Sequence, residues 1–82
     1  HLRFFASTRA VVGAEQRAAA DFNLPAVVNT AVLREALIDA YPESGPLFVT
    51  CTFLADGARV GDRLVALEDL DTIDVLPPFA GG

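Results

Sequence analysis

Thr30-Ala31-Val32-Leu33-Arg34-Glu35-Ala36-Leu37-Ile38-Asp39-Ala40-Tyr41 is the stretch on which the fold turns. Leu33, Leu37, Ala40 and Tyr41 recur on one face of a 3.6-residue period, while Arg34, Glu35 and Asp39 fall away from it. The spacing predicts a helix over residues 30–41. Asn29 sits where an N-cap side chain would accept from the free amides of the first turn. Pro42 cannot continue a helix and disfavours helical geometry at the residue before it. To either side the pattern changes period. Residues 2–6 alternate, with Leu2, Phe4 and Ala6 on one face and Arg3 and Phe5 on the other, and read as a strand. Residues 7–14 are expected to be a loop closing at Gly13, and residues 16–22 the hairpin partner of the first strand. Asn23 and Pro25 mark a turn, and Ser44-Gly45-Pro46 a loop. The β-branched and aromatic residues of 48–54 predict a strand. Asp56-Gly57 then signals a two-residue hairpin turn. Short strands over 58–60 and 63–67 and a last strand over 72–76 follow, ended by Pro77 and Pro78, which lack amide donors. One helix in a mainly β chain must cover one face of a sheet, which gives a two-layer α+β class. The last strand is expected to return beside the first, parallel to it and in the middle of the sheet.

Composition narrows the function classes. The chain has 82 residues, 52% of them hydrophobic, which fits one folded domain rather than a disordered segment. Residues 1–76 read as its body and residues 77–82 as a tail. No apolar run approaches the roughly 20 residues of a membrane span, and no basic-then-apolar leader is visible. A net charge of −5 argues against a nucleic-acid surface. A cytoplasmic domain, with no membrane and no nucleic acid as partner, is the expectation. All six basic residues are arginine, so no side chain offers a Schiff-base amine or a lysine to accept an isopeptide bond. The acidic balance points to basic partner surfaces.

Few side chains are placed for chemistry of their own. Cys51 is the single cysteine; lying in an apolar stretch, it reads as a buried structural residue, since reactive thiols need electropositive, accessible surroundings. The one histidine is terminal, so no Ser/His/Asp set forms. Glu68, Asp69, Asp71 and Asp74 are spread along a loop and strand, which predicts a solvated acidic face rather than a metal site. Gly13, Gly57 and Gly61 are isolated and make no phosphate-cradling loop.

The tail is where chemistry is legible. Gly81 and Gly82 have no Cβ and can pass through a channel too narrow for any other residue. The double proline favours an extended exit from the sheet. A free carboxylate on such an end is a substrate for adenylation followed by nucleophilic attack, although a terminal glycine pair is also what an inert frayed end looks like. The run Val75-Leu76-Pro77-Pro78-Phe79-Ala80-Gly81-Gly82 resembles the ending of the small subunit of molybdopterin synthase, a ubiquitin-like β-grasp sulfur carrier. Phe4-Phe5-Ala6 with Arg9 and Val12-Gly13 resembles that family's first strand and loop, Leu33-Arg34-Glu35-Ala36-Leu37 its helix, and Leu67-Glu68-Asp69-Leu70-Asp71-Thr72-Ile73 the approach to its last strand. Two departures stand out. Leu70 replaces the family's usual glycine between two aspartates, where a turn with positive φ would be strained, and Thr52-Phe53-Leu54-Ala55-Asp56-Gly57 lacks the usual Val-Asn-Gly.

The resemblance implies a β-grasp fold of about five mixed strands on one main helix, with an extended carboxyl-terminal tail. It implies that a ubiquitin-activator-like enzyme uses ATP to adenylate Gly82, that a sulfur donor converts it to a thiocarboxylate, and that Gly81 permits passage into a partner. The partner is the large synthase subunit, in a heterotetramer, where the sulfur goes to cyclic pyranopterin monophosphate. The catalytic groups are the large subunit's and no cofactor is bound by this chain. Phe5, Leu76, Pro77, Pro78, Phe79 and Ala80 are the expected partner contacts. Sulfur delivery to thiazole or cysteine synthesis, ubiquitin-like protein modification, and a β-grasp interaction module with an inert tail are the alternatives.

Overall fold

The computed structural model describes residues 1–78. Seven strands and three helices form: β1 (Leu2–Phe4), α1 (Ser7–Val12), β2 (Gln16–Arg17), β3 (Val27–Val28), α2 (Thr30–Ala40), α3 (Gly45–Val49), β4 (Thr52–Ala55), β5 (Ala58–Arg59), β6 (Val65–Ala66) and β7 (Ile73–Leu76). Three single turns of 3-10 helix, Ala19–Phe22, Pro42–Ser44 and Leu67–Asp69, link them. Five strands make one mixed sheet in the order β2-β1-β7-β4-β5, and β3 pairs with β6 in a separate two-stranded ribbon. β7 is parallel to β1 and antiparallel to β4. The last strand thus lies at the centre of the sheet beside the first, with α2 packed on one face, and the architecture is a β-grasp.

Strand alternation sorts the residues onto two faces. Phe4, Val75 and Phe53 lie side by side across β1, β7 and β4, and Val60 extends the row through its amide bond to the Phe53 carbonyl. All four are buried, as are Leu33 and Leu37 on the facing side of α2. Phe22, Tyr41 and Phe48 continue the aromatic packing from Phe4, with successive ring centroids 6.1, 6.4 and 6.1 Å apart. α2 begins as its sequence dictates, with Asn29 Oδ1 accepting from the Val32 amide at 3.0 Å. The Asp56-Gly57 turn has φ of 47° and 85°, both positive as a type I′ turn requires.

Several local expectations are corrected. Residues 7–14 are not a loop: Thr8, Val11 and Val12 form a short apolar stripe on α1, ended by Gly13 in the left-handed region with its amide bonded to the Arg9 carbonyl. Residues 16–22 are a strand only at Gln16–Arg17, after which the alanines wind into a 3-10 turn that buries Phe22. The stretch after Pro25, read as a turn, contains β3. Residues 45–49, divided between a loop and a strand in the sequence reading, form α3, with Pro46 in its first turn where a missing amide costs nothing. The strand that follows is Thr52–Ala55, and the later ones shrink to Ala58–Arg59 and Val65–Ala66. Ala6, expected on the core face, is exposed with φ 50° and ψ −123°, and it turns the chain out of β1. Leu70 has φ −110°, so a leucine there carries no backbone strain.

Candidate functional site

The end of β7 is where the sequence placed the chemistry, and the sheet order explains what surrounds it. Val75 lies between Phe4 and Phe53, and Leu76 lies opposite Thr52. Alternation sends Val75 inward and Leu76 outward, and the next inward position is Pro77. Pro77, one of the expected partner contacts, is buried in the isolated chain, and Pro78 is exposed. Neither proline has an amide to extend the ladder. Phe79, Ala80, Gly81 and Gly82 lie outside the described residues.

Thr8 secures this end from beneath. Its side chain is fully buried. The hydroxyl donates to the Phe5 carbonyl at 2.7 Å and accepts from the Phe5 amide at 3.0 Å, while the Val75 carbonyl lies 3.3 Å away. The end of β1, the start of α1 and the end of β7 are therefore joined at one hydroxyl. Nothing in the local sequence marks Thr8 for this; the signal available was its place in the i, i+3, i+4 stripe with Val11 and Val12.

The outer face of the sheet carries the second set of residues. The pairings align Arg3, Asp74, Leu54 and Arg59 in one row across β1, β7, β4 and β5. Arg3 grips Asp74 with two parallel bonds, Nε to Oδ1 at 2.6 Å and Nη2 to Oδ2 at 2.9 Å. Such a fork is the strong, directional form of an ion pair. Asp74, by its hydrogen bond and its charge, holds the Arg3 pKa above the ordinary arginine value. The same guanidinium lies 5.8 Å from the Phe5 ring centroid, in cation–π range. Phe5, Leu76, Thr52 and Leu54 are half-buried beside it. The acidic set is thereby divided: Glu68, Asp69 and Asp71 are exposed, whereas Asp74 is buried and neutralised by Arg3 rather than solvated.

Cys51 precedes β4 rather than lying inside a strand, and its side chain is buried. Its thiol donates to the Leu47 carbonyl at 3.3 Å. Burial pushes its pKa up, with Arg34 pulling weakly the other way. Arg34 itself donates to the carbonyls of Phe48 and Cys51, closing the carboxyl end of α3. Asp56 has a comparable linking role, accepting from the amides of Asp71 and Thr72 at 3.0 and 2.9 Å, which fixes the entry to β7. Among the described residues no group of three His, Cys, Asp or Glu side chains is placed to hold a metal ion, and no helix is long and apolar enough to cross a membrane. No family model matches the chain, and no curated protein matches it.

Proposed function

We propose that this chain is a sulfur carrier of molybdenum-cofactor synthesis, acting as the small subunit of a molybdopterin synthase. The observation that carries the reading is the placement of β7: the strand leading to the Gly-Gly end is the central strand of a β-grasp sheet, anchored on both sides. A body built this way supports a terminal carboxylate without contributing catalytic groups to it, and the buried, raised-pKa thiol of Cys51 is poorly suited to carry sulfur. In this reading an adenylating enzyme transfers AMP from ATP to the Gly82 carboxylate and releases pyrophosphate. A sulfide-level nucleophile from a donor displaces AMP and leaves a thiocarboxylate. The tail enters the large subunit, with Gly81 giving slim passage. There the sulfur passes to cyclic pyranopterin monophosphate, and water restores the Gly82 carboxylate. Phe5, Leu76 and Pro78 supply contacts for the partner, with Phe79 and Ala80 beyond them.

Intact-mass measurement tests this. Incubation with the organism's adenylating enzyme, ATP and a sulfur donor should exchange one oxygen for one sulfur, and deletion of Gly82 should abolish the exchange without loss of fold. An unchanged mass, under conditions in which a control carrier converts, refutes the reading. Adding the large synthase subunit with cyclic pyranopterin monophosphate should then consume the thiocarboxylate. Consumption by a thiazole-forming enzyme instead would move the protein to that branch.

A further inference from the structure

The Asp56-Gly57 turn carries chemistry as well as a change of direction. Of all the aspartates and asparagines in the chain, only Asp56 precedes a glycine. A glycine has no side chain to hinder its amide, so in an Asp-Gly pair the following backbone nitrogen reaches the aspartate's own carboxyl carbon with least obstruction. Asp56, Gly57 and Ala58 are all exposed, so water reaches the turn. The carboxyl group itself is engaged. Its Oδ1 accepts from the Asp71 amide at 3.0 Å and from the Thr72 amide at 2.9 Å, and Oδ2 lies 3.3 Å from the Asp71 amide. The Asp56 amide in turn donates to the Thr72 carbonyl at 3.0 Å. Asp56 therefore holds the segment entering β7 by side chain and main chain together, one residue beyond the rung that pairs Ala55 with Ile73.

We propose that Asp56 is a site of isoaspartate formation that the fold keeps closed, and that its conversion uncouples the entry of β7. In the first step the Gly57 nitrogen attacks Cγ of the protonated Asp56 carboxyl. The N–Cγ bond forms, the Cγ–OH bond breaks, and the hydroxyl leaves with the amide proton as water. Water then opens the cyclic imide. Addition at Cγ restores aspartate. Addition at the Asp56 main-chain carbonyl carbon breaks its bond to the Gly57 nitrogen and leaves the main chain running through Cβ and Cγ. One water is lost and one regained, so no oxidant or cofactor takes part. To react, the carboxyl group must take up a proton and turn onto the Gly57 nitrogen, and both changes cost it the Asp71 and Thr72 amides. Bonds from amides to a carboxylate are of the strong, charge-assisted kind, so the native chain opposes the ring. Once isoaspartate has formed, the turn is longer by one methylene, and its free carboxylate sits directly on Cα rather than on an arm reaching residues 71 and 72. A two-residue turn closed by φ of 47° and 85° has no place for the added atom. Nothing in this step depends on the carrier reading.

Isotope labelling tests it. The full chain is held at neutral pH in water enriched in heavy oxygen, once folded and once in guanidinium, and the label is located by fragmentation mass spectrometry. Every passage through the ring places one heavy oxygen at residue 56, whichever carbonyl water opens. In guanidinium, label should enter Asp56 ahead of every other aspartate. In the folded chain it should enter at least about tenfold more slowly, the factor set by losing a hydrogen bond to a charged acceptor. Asp56→Asn keeps Oδ1 for both amides and turns the same cyclisation into a deamidation, whose mass gain should show the same gap. Across a series of low guanidinium concentrations, labelling of the parent should follow hydrogen exchange of the Thr72 amide. The isoaspartyl chain, separated by chromatography, should unfold at a lower guanidinium midpoint and exchange its β7 amides faster, with α2 less affected. Equal labelling of folded and unfolded chains, or no label at Asp56 in either, overturns the proposal. So does labelling that ignores the opening of the Thr72 amide, or an isoaspartyl chain that unfolds at the parent's midpoint.

Discussion

Replacing Thr8 with valine removes one hydroxyl and almost no volume, so its effect isolates the joint between β1, α1 and β7. The Phe5 carbonyl keeps a partner, because it also accepts from the Thr8 amide at 3.1 Å. The Phe5 amide, bonded to Thr8 Oγ1 at 3.0 Å, is left without that acceptor. An orphaned buried donor costs about 1–3 kcal/mol, and the half-buried position of Phe5 puts the expectation near the middle, about 1.5–2 kcal/mol. For a domain of this size that lowers Tm by about 6–16 °C, taking about 4–8 °C per kcal/mol. In urea, with a slope of about 1 kcal/mol per M, the midpoint falls by about 1.5–2 M. Unfolding followed by far-ultraviolet circular dichroism reads both. Thr8→Ser keeps the hydroxyl and loses a methyl, and it should cost about 1 kcal/mol through a small cavity. Hydrogen exchange on Thr8→Val should accelerate at the end of β7 more than in α2. A Thr8→Val protein as stable as the parent to within about 0.5 kcal/mol would refute the reasoning, since that is the ordinary scatter of a surface change.

Other outcomes follow from single features. Asn29→Ala removes the acceptor for the Val32 amide and should cost about 1 kcal/mol in thermal or urea unfolding. Ala6→Gly should raise stability by roughly 1 kcal/mol in the same experiments, because φ 50° with ψ −123° is glycine territory and the alanine is exposed. Cys51 should react with a thiol reagent far more slowly in the native protein than in urea. Because folding raises its pKa, the thiol's contribution is fully present below the ordinary thiol pKa and is lost as pH rises through the folded value, so unfolding midpoints should fall in alkaline buffer and the fall should vanish in Cys51→Ala.

What was legible in the chain had local causes. α2 announced itself because its period is sustained over three turns and its cap is an asparagine. The turn at Asp56-Gly57 was legible because few residue pairs tolerate two positive φ angles. The central position of the last strand followed from layer rules rather than from any motif. α1 and α3 were missed because each is only five or six residues long, and Val11, Val12, Phe48 and Val49 prefer strands in isolation. Core contacts of Thr8 and Phe48 override that preference. The Arg3–Asp74 fork was invisible because a parallel pairing joins residues 71 positions apart, and no local pattern encodes it.

The pairing of β1 with β7 has a consequence for how the protein is made. Its central strand is made after the other described strands, and it bridges the β1–β2 and β4–β5 pairs, which otherwise share no rung. While a ribosome is still adding residues 73–76 those pairs have nothing to join them, and a chain that stops short of β7 never closes its sheet. The surveillance that removes unfolded chains would therefore also remove those truncated before β7.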